Sequence, residues 1–356
     1  MFIRNSWYVA GFTGEIRDRL LARRFLGEPV VLYRQADGKI CALEDRCCHR
    51  GLPLSMGELN GNLLRCQYHG LEYDHSGTCV KIPGQNVIPA SARVKAYPTA
   101  VRGQAIWIWM GDAKQADEAL IPDYPWFDDQ KWDWKFKVFN IKCDYEMLHD
   151  NLLDLTHVAY VHSKTIGGTP AAHFNAETKV AKTSRGVKVT RWLPDSVPPS
   201  TYTKLVSFKG NVDRWQEFEF FPGLISLYTG AVDVGTGAYE GRREGGFHLR
   251  IFDAITPETE NSTLNLFCAG QNFRPGESDV TDILFAELEK TVMEDVEVLE
   301  AQHERVSETK DQPFVDIRAD AAGIQTRRAL DKMRQLERRA GGATESTSTV
   351  NISSAS

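Results

Sequence analysis

Short apolar runs separated by turn residues dominate the first third of the chain. Asp-Gly, Asn-Gly and Pro-Gly pairs lie between them. Apolar runs of this length, bounded by turn residues, are typical of β-strands. The pattern predicts a small antiparallel β domain that ends near Gly111, followed by a polar linker at 112–119. The clearest predicted strands are 29–33, 40–43 and 105–109.

The pattern changes after the linker. Residues 143–162 show helical periodicity, and the region 177–270 contains segments in which apolar and polar residues alternate, as in a half-buried strand. Further on, 281–306 is a long amphipathic helix pattern and 325–339 a second one. These segments predict a second antiparallel sheet accompanied by helices. Two of its strands are predicted at 187–190 and 247–251.

The predicted fold class is therefore α+β, in two domains. We predict an all-β domain at 1–112 and a mixed domain at 113–340. Residues 341–356 are rich in Ser, Thr and Gly and contain no apolar anchor. Such segments cannot bury enough surface to fold, and this one is predicted to be a disordered tail.

Composition narrows the possible functions. The chain has 356 residues, 42% of them hydrophobic and 25% charged, with a net charge of -6. A mildly acidic chain has no general attraction to nucleic acid or anionic lipid. No apolar run reaches the roughly 18 residues of a membrane span, and the first residues do not resemble a secretory signal. We expect a cytoplasmic protein with neither a nucleic-acid nor a membrane partner.

Seven cysteines, an odd number, argue against a disulfide framework. Four potential metal ligands fall into two mixed pairs, Cys47 with His49 and Cys66 with His69, and sixteen residues separate the pairs. Two thiolates and two imidazoles suit a [2Fe–2S] cluster in which each residue type holds one iron. The alternative is a structural zinc site, but zinc modules usually pair Cys with Cys and His with His.

A second group of ionisable residues lies in the helical segment 143–162. Asp154 and His157 are three residues apart and should share a helix face. His157 and His162 are five apart, which is about 140° of rotation on a regular helix. To bind one metal together, they require the helix to end or to bulge between them, for example by a π-bulge.

A carboxylate for the same site is predicted on the helix at 281–306. Asp295 falls on the apolar stripe formed by Leu288, Val292 and Leu299, where a lone carboxylate is costly unless it binds a cation. Glu294 and Glu297 lie off this stripe and are predicted to be solvated. Two histidines and one carboxylate form the facial triad of mononuclear Fe(II) oxygenases. The alternatives are a buried salt bridge at Asp295 and core histidines at 157 and 162.

The motifs resemble those of one known family. The segments 47–51 (Cys-Cys-His-Arg-Gly) and 66–70 (Cys-Gln-Tyr-His-Gly) resemble the two ligand loops of Rieske proteins, and 82–84 (Ile-Pro-Gly) resembles the third loop, which shields the cluster. The spacing of Asp150, Asp154, His157 and His162 resembles the catalytic signature of Rieske oxygenases. Over nearly its whole length the chain is similar to the vanillate O-demethylase group, which includes dicamba O-demethylase and toluenesulfonate methyl-monooxygenase.

The resemblance implies an N-terminal Rieske domain followed by a helix-grip-like catalytic domain. It implies two cofactors, one [2Fe–2S] Rieske cluster and one mononuclear Fe(II) held by His157, His162 and Asp295. It also implies that Asp154 hydrogen-bonds a ligand histidine and links it to a cluster histidine of the neighbouring subunit, in a homotrimer. Asp150 and Asn151 either line the iron site or have plain helix-surface roles.

The activity implied is that of a terminal oxygenase. It uses O₂ and electrons from an NAD(P)H-dependent reductase of the flavin and ferredoxin type, because this chain has no Gly-rich nucleotide loop of its own. The reaction is monooxygenation of a small acidic aromatic compound, by O- or N-demethylation or methyl hydroxylation. Ring cis-dihydroxylation and a pure Rieske electron carrier are the alternatives. His248 and Asp253 are candidate substrate contacts, whereas Arg242 and Arg243 either meet an anionic substrate or form a solvated surface pair.

Overall fold

The computed structural model describes residues 1–17, 19–184, 186–309 and 312–347, with side chains as far as Arg339. The described part contains strands in four antiparallel sheets and helices that follow mainly in the second half. The strands are β1 (Trp7–Phe12), β2 (Leu21–Phe25), β3 (Glu28–Arg34), β4 (Ile40–Glu44), β5 (Glu58–Asn60), β6 (Leu63–Arg65), β7 (Glu72–Tyr73), β8 (Cys79–Lys81), β9 (Ala96–Tyr97), β10 (Thr99–Arg102), β11 (Ala105–Trp109), β12 (Asp133–Ile141), β13 (Glu177–Lys182), β14 (Val187–Ser196), β15 (Val212–Phe221), β16 (Leu224–Asp233), β17 (Phe247–Thr259) and β18 (Ser262–Gln271). The helices are α1 (Tyr145–Leu153), α2 (Val158–Val161), α3 (Pro170–Phe174), α4 (Ser200–Thr203), α5 (Ser278–Glu308) and α6 (Ala321–Thr347).

Three small sheets make up the N-terminal domain, in the orders β1-β11-β10, β2-β3-β4-β9 and β5-β6-β7-β8. Successive side chains of a strand point to opposite faces, and β3 buries side chains on both of its faces. Val30 and Leu32 enter a core with the tryptophans of β1 and β11. Val31 and Tyr33 enter a second core, which contains Cys47 and Cys66. The β3–β4 hairpin thus separates two cores within this domain.

The second domain is built on a seven-stranded antiparallel sheet of order β12-β18-β17-β16-β15-β14-β13. Helix α5 lies against this sheet. Its residues Leu284, Leu288 and Leu299 are at most 2% exposed and share a core with the sheet residues Phe139 and Phe267. The predicted α+β fold, with a long helix held against an antiparallel sheet, is confirmed.

The two domains share a continuous core. Trp107 of β11 packs edge-on against Phe252 of β17, with 6.0 Å between ring centroids. Thr256 of β17 donates a hydrogen bond of 2.8 Å to the buried carbonyl of Val9 in β1. The predicted linker 112–119 forms short 3₁₀ turns. The boundary at residue 112 is therefore crossed by buried aromatic contacts.

The helices differ in detail from the predictions. The segment 143–162 is not one helix: α1 ends at Leu153, and α2 begins only at Val158. Helix α6 continues to Thr347, seven residues into the predicted disordered tail, because each added helical residue gains a backbone hydrogen bond. Residues 348–356 lie outside the described part of the chain. None of the helices described is long and apolar enough to cross a membrane.

Candidate active site

Two loops of the N-terminal domain have the same backbone design. In the first, the amide of Gly51 donates to the carbonyl of Cys47 at 2.9 Å; in the second, Gly70 donates to Cys66 at 3.0 Å. Both glycines have positive φ, 74° and 72°, a conformation that favours glycine. The repeated turn presents one cysteine and one histidine from each loop.

The four side chains of these loops form a pair of sulfurs and a pair of imidazoles. Cys47 and Cys66 are buried, whereas His49 and His69 are exposed and their Nδ1 atoms lie 3.1 Å apart. Among the described residues, neither sulfur lies within 4.8 Å of both of these nitrogens. One tetrahedral zinc, with bonds of about 2.0–2.3 Å, would hold all four ligand atoms closer together than that. The separation fits a two-iron cluster, with its sulfur ligands inside and its imidazoles at the surface.

Tyr73 supports the buried side of this site. Its hydroxyl lies 3.1 Å from the sulfur of Cys47 and 3.2 Å from that of Cys48, and it accepts a hydrogen bond from the amide of Cys48. Hydrogen bonds to ligand sulfurs help to set the potential of an iron–sulfur cluster. Cys48 is therefore a neighbour of the predicted ligands through Tyr73.

A second set of ligand atoms converges between the α1–α2 segment and α5. The Nε2 atom of His162 lies 3.1 Å from Oδ1 of Asp295, and Nε2 of His157 lies 3.5 Å from the same oxygen. These are the only three described residues whose ligand atoms cluster in this way. Two imidazoles and a carboxylate suit a mononuclear iron and leave coordination positions open.

The backbone break between α1 and α2 brings the histidines together. Asp154 adopts an extended conformation after α1, and His157 and His162 lie at the two ends of the single turn of α2. The helix does end before His162, as the spacing required, but no π-bulge is involved. The predicted shared helix face of Asp154 and His157 is wrong, because Asp154 lies outside the helix.

Both imidazoles are oriented through their second nitrogen. Nδ1 of His157 donates to the backbone carbonyl of Asp154 at 2.5 Å, and Nδ1 of His162 donates to Oε2 of Glu294 at 2.7 Å. Such contacts place the proton on Nδ1 and leave Nε2 as the metal-binding atom. Glu294 also accepts a hydrogen bond from Thr165. The prediction that Glu294 is merely solvated is therefore wrong.

A glycine close to His162 allows this packing. A Cβ atom on Gly167 would lie 2.5 Å from the carbonyl oxygen of Val158 and 2.8 Å from that of His162. These are backbone atoms, so a side chain here would displace the turn that carries His162. Gly167 in turn accepts a hydrogen bond of 2.7 Å from Nε2 of His173.

Burial and neighbouring charges act differently on the two histidines. Burial lowers the pKa of His157 below its ordinary value. Burial also acts to lower the pKa of His162, but its hydrogen bonds to Asp295 and Glu294 outweigh burial and raise that pKa. The negative charges of Asp295 and Glu294 therefore make the site attractive to a cation.

The other residues predicted to be catalytic lie at different distances from the triad. Asn151 donates to Oδ1 of Asp295 at 3.1 Å and so belongs to the site. Asp150 instead pairs with Arg327 of α6, and the structure does not bring it to the triad. The carboxylate of Asp154 accepts hydrogen bonds from the amide and hydroxyl of Thr156, at 2.8 and 2.7 Å.

The triad forms part of the wall of a pocket enclosed by the seven-stranded sheet, α1 and α5. Its lining is mainly apolar and includes Leu152, Val158, Phe218, Leu227, Ile251 and Leu288. Asp253 lies in the same wall, accepts a hydrogen bond from Asn265, and has its pKa raised to about 7 by burial. His248 does not line this pocket; it lies between Tyr228 and the carbonyl of Arg243 beside another cavity.

Sequence reasoning missed two polar residues of the pocket, Arg214 and Gln216. Both lie on the inward-facing positions of β15, in register with the buried Val212 and Phe218, so the alternating pattern contained the signal. Arg243 is not a solvated surface residue either. Its guanidinium lies over the ring of Trp215, at 4.5 Å, and pairs with Glu217 at 2.7 Å.

Comparisons with known proteins match both halves of the chain. Residues 6–98 match the Rieske [2Fe-2S] domain, and residues 141–336 match the vanillate O-demethylase oxygenase C-terminal domain. The toluene-4-sulfonate monooxygenase system iron-sulfur subunit TsaM1 of Comamonas testosteroni is 39% identical over 341 residues, which are 95% of this chain and 98% of that protein. The vanillate O-demethylase oxygenase subunit of Pseudomonas sp. strain HR199 is 34% identical over 96% of this chain and 98% of its own length.

A solved structure agrees with the same assignment. The crystal structure of dicamba monooxygenase bound to dicamba superimposes with a TM-score of 0.87, at 32% identity, over 95% of this chain and 99% of that chain. The class is thereby defined: the chain is the oxygenase component of a Rieske-type non-haem iron monooxygenase, with one [2Fe–2S] cluster and one mononuclear iron. Within that class it belongs to the vanillate O-demethylase oxygenase family.

Proposed function

We propose that this oxygenase removes or hydroxylates a methyl group of a small aromatic acid. One observation carries the proposal: the ligand atoms of His157, His162 and Asp295 converge in the wall of a largely apolar pocket. Such a pocket suits an aromatic ring and excludes water, while the triad suits an iron with open positions. The iron, when bound, supplies O₂ activation beside the ring.

The same geometry supports the proposed ligand sets. We assign Cys47 and Cys66 to one iron of the cluster, His49 and His69 to the other, and His157, His162 and Asp295 to the mononuclear iron. Asn151 positions Asp295 through its hydrogen bond of 3.1 Å. Glu294 and the carbonyl of Asp154 hold the two imidazoles in the ligating orientation.

The reaction balances with two external electrons. A methyl C–H bond, O₂, two electrons and two protons give a C–OH bond and one water. If the methyl carbon is attached to oxygen or nitrogen, the resulting hemiacetal or hemiaminal breaks down to formaldehyde and a demethylated product. The names of the relatives, toluene-4-sulfonate monooxygenase and vanillate O-demethylase, describe two aromatic acids with a methyl or methoxy group.

The partners belong to the proposal as well. The electrons come from a separate reductase that oxidises NAD(P)H. The imidazoles of His49 and His69 are exposed, and Oδ2 of Asp154 has no hydrogen-bond partner among the described residues. We propose that a homotrimer brings the cluster histidines of one subunit to Asp154 of the next. The predicted cytoplasmic location stays a prediction.

The test is turnover with a surrogate reductase. We expect NADH-dependent O₂ uptake with methyl or methoxy aromatic acids. A methyl hydroxylation should give an alcohol with one ¹⁸O atom from ¹⁸O₂, and a demethylation should give formaldehyde equimolar with the O₂ consumed, because the oxygen of formaldehyde exchanges with water. A cis-diol carrying two ¹⁸O atoms would contradict the monooxygenase proposal. His157→Ala is the control: it should keep the visible spectrum of the cluster and lose turnover, and an active variant would disprove the triad.

A further inference from the structure

We infer that Arg214 forms an anion-binding subsite of the substrate pocket. The substrate class is then an aromatic compound with a single sulfonate or carboxylate group at the end of the molecule away from the reacting methyl. This inference rests on the proposed function, because it takes the pocket beside the triad as the place where substrate binds. The anion subsite has its own observations, which concern charge and hydrogen bonding.

Arg214 is a buried cation without a counter-ion. The residue is 1% exposed, and no described carboxylate lies within ion-pair distance of its guanidinium. Nη1 donates to the carbonyl of Gly167 at 3.3 Å and Nη2 to that of Ile166 at 3.2 Å, both long bonds. Nε is buried and has no hydrogen-bond partner among the described residues. A guanidinium offers five N–H donors, so much of its capacity is unused.

Two other partly shielded arginines are paired with carboxylates, whereas the buried Arg191 is held by neutral acceptors and does not line the pocket. Arg23, with 10% of its side chain exposed, lies 2.6 Å from Glu15, and Arg243, with 17% exposed, lies 2.7 Å from Glu217. Leaving a buried charge unpaired is costly. Arg214 is more buried than Arg23 and Arg243, and its neighbours are two backbone carbonyls and the ring of Tyr202, whose centroid lies 5.2 Å from the guanidinium carbon. None of these carries a negative charge, so a bound anion is the missing partner.

The neighbours of Arg214 increase the positive character of this end of the pocket. Arg191, on the adjacent strand β14, is 4% exposed and donates to Oε1 of Gln216 at 2.8 Å. That contact occupies the amide oxygen of Gln216 and leaves its NH₂ group as a donor in the pocket wall. Burial lowers the pKa of Arg191 to about 10; the negative charge of Asp154 opposes this shift, and the positive charge of Arg214 adds to it by a smaller amount.

The opposite end of the pocket does not suit an anion. Arg214 lies on β15 opposite Ala231, whereas Asp253 lies on β17 opposite Ile225, six residues further along the intervening strand β16. Aliphatic side chains such as Leu227 and Ile251 line the wall between them. A substrate with its anionic group at Arg214 keeps its charge away from the Asp253 carboxyl and its ring against apolar side chains.

A structural brace is the competing explanation. Arg214 bonds the carbonyls of Ile166 and Gly167, close to His162, and could simply hold that turn. The two explanations differ in substrate dependence. Loss of a brace displaces His162 and lowers turnover of every substrate, whereas loss of an anion subsite affects only anionic ones.

The experiment compares acids with their neutral isosteres. Turnover is measured for 4-methylbenzenesulfonate and 4-methoxybenzoate, and for the corresponding primary amides, with the oxygenase and a surrogate reductase. For wild type we expect kcat/KM to favour the acids by about 100-fold or more, as for other sites built around a charged partner. Arg214→Gln should remove this preference, because it lowers kcat/KM far more for the acids than for the amides. Arg214→Lys should retain part of the preference.

Two control variants separate the explanations. Arg242→Gln removes an exposed arginine outside the pocket and should leave both substrate classes unchanged. His173→Leu removes a buried side chain that, like Arg214, donates to the carbonyl of Gly167 but does not line the pocket; it should affect acids and amides equally. If Arg214→Gln behaves like His173→Leu, Arg214 is a brace and the inference is wrong.

Binding measured without turnover keeps the inference testable by itself. Calorimetry of the iron-loaded wild type under nitrogen should show benzenesulfonate binding at least about 10-fold more tightly than benzenesulfonamide, since charge-assisted hydrogen bonds are the stronger kind. Equal affinities would overturn the anion subsite even if Arg214→Gln fails to fold. If no methylated compound is turned over while benzenesulfonate still binds selectively, the proposed function fails and the subsite stands.

Discussion

The imidazole of His162 is fixed at both of its nitrogens. Glu294 accepts from Nδ1 at 2.7 Å, Asp295 lies 3.1 Å from Nε2, and the two carboxylates are neighbours on α5. Asp295 lies on the Nε2 side of the ring and is available as a metal ligand. Glu294 is not, because it is hydrogen-bonded to Nδ1 on the other side. Two adjacent acidic residues thus have different tasks, assigned by the side of the imidazole that each one contacts.

Glu294→Gln tests the orienting role. An amide accepts a weaker hydrogen bond than a carboxylate, so we expect iron affinity to fall about 10- to 100-fold, the range typical of such supporting contacts. Iron content after dialysis against a chelator measures the effect. The matched control is Glu297→Gln, one turn away and exposed. Equal iron retention in the two variants would contradict the role of Glu294.

His149 provides a second prediction at this scale. Its ring is buried between Tyr145 and Phe220, and within the described part of the chain neither of its nitrogens has a hydrogen-bond partner. Burial, with a smaller contribution from Arg334, lowers its pKa to about 3. Unfolding restores the ordinary pKa of about 6.5. Between these values only the unfolded state binds the proton, so stability is complete above pH 6.5 and falls as the pH decreases.

Because the unfolded chain binds a proton at His149, the free energy of unfolding should be about 1.4 kcal/mol lower at pH 5.5 than at pH 7.5. We expect His149→Leu to lose less thermal stability than wild type over this interval. Unfolding midpoints at the two pH values measure it. His75→Leu, at an exposed position, should retain the pH dependence of wild type. Parallel curves for wild type and His149→Leu would show that His149 is not the group responsible.

At the scale of elements, the break between α1 and α2 determines the iron site. Helix α1 ends before Asp154. The carboxylate of Asp154 accepts hydrogen bonds from the amide and the hydroxyl of Thr156, and its backbone carbonyl accepts one from Nδ1 of His157. Local hydrogen bonds from Asp side chains compete with helix formation. The same residue therefore ends α1, orients a ligand and leaves one carboxylate oxygen available to a partner.

Asp154→Asn separates these tasks. Asparagine retains an acceptor for Thr156 and the same backbone carbonyl, so both metals should stay bound. It removes the charge proposed to receive the cluster histidine, and we expect electron transfer from cluster to iron to slow at least about 10-fold. Single-turnover oxidation of the pre-reduced cluster measures the rate. Asp150→Asn, which loses only the ion pair with Arg327, should transfer electrons at the wild-type rate.

Much of this architecture was predictable, and the exceptions have physical causes. Period-two alternation located the strands, and the apolar stripe on α5 identified Asp295, because each pattern reflects one packing partner. The end of α1 was not predictable from periodicity, since 154–157 contains neither Gly nor Pro. Glu294 was misplaced because the segment after α2 covers a second face of α5. A helical wheel considers one buried face and cannot include a second partner from distant sequence.

At the scale of the whole molecule, the two metal sites occupy separate cores. The cluster cysteines lie in one core of the N-terminal domain, and the residues around the triad lie in the core of the second domain. The cluster histidines face solvent. In the proposed homotrimer, the electrons would cross the contact between subunits.

Mixed oligomers test this directly. One chain carries Cys47→Ser and lacks a cluster; the other carries His157→Ala and lacks the mononuclear iron. Each alone should be inactive, whereas equal co-expression should restore about a quarter of wild-type turnover, because random trimers contain productive junctions in that proportion. The active fraction should have three times the 40.0 kDa mass of the chain. No recovery in the mixture would contradict transfer between subunits.

The β3–β4 hairpin, with one face in each N-terminal core, also has an evolutionary consequence. Substitutions in the segment 45–95, which packs on the cluster side of the hairpin, change the core around Cys47 and Cys66. No residue of this segment lines the substrate pocket. Substitutions on its other side disturb aromatic packing shared with β17. Adaptation to a new electron donor and adaptation to a new substrate can thus proceed in different parts of one gene. A recombination crossover near residue 45 would separate Val31 and Tyr33 from the core that they share with Cys47 and Cys66, and one near residue 112 would separate the aromatic residues of the core shared by the two domains.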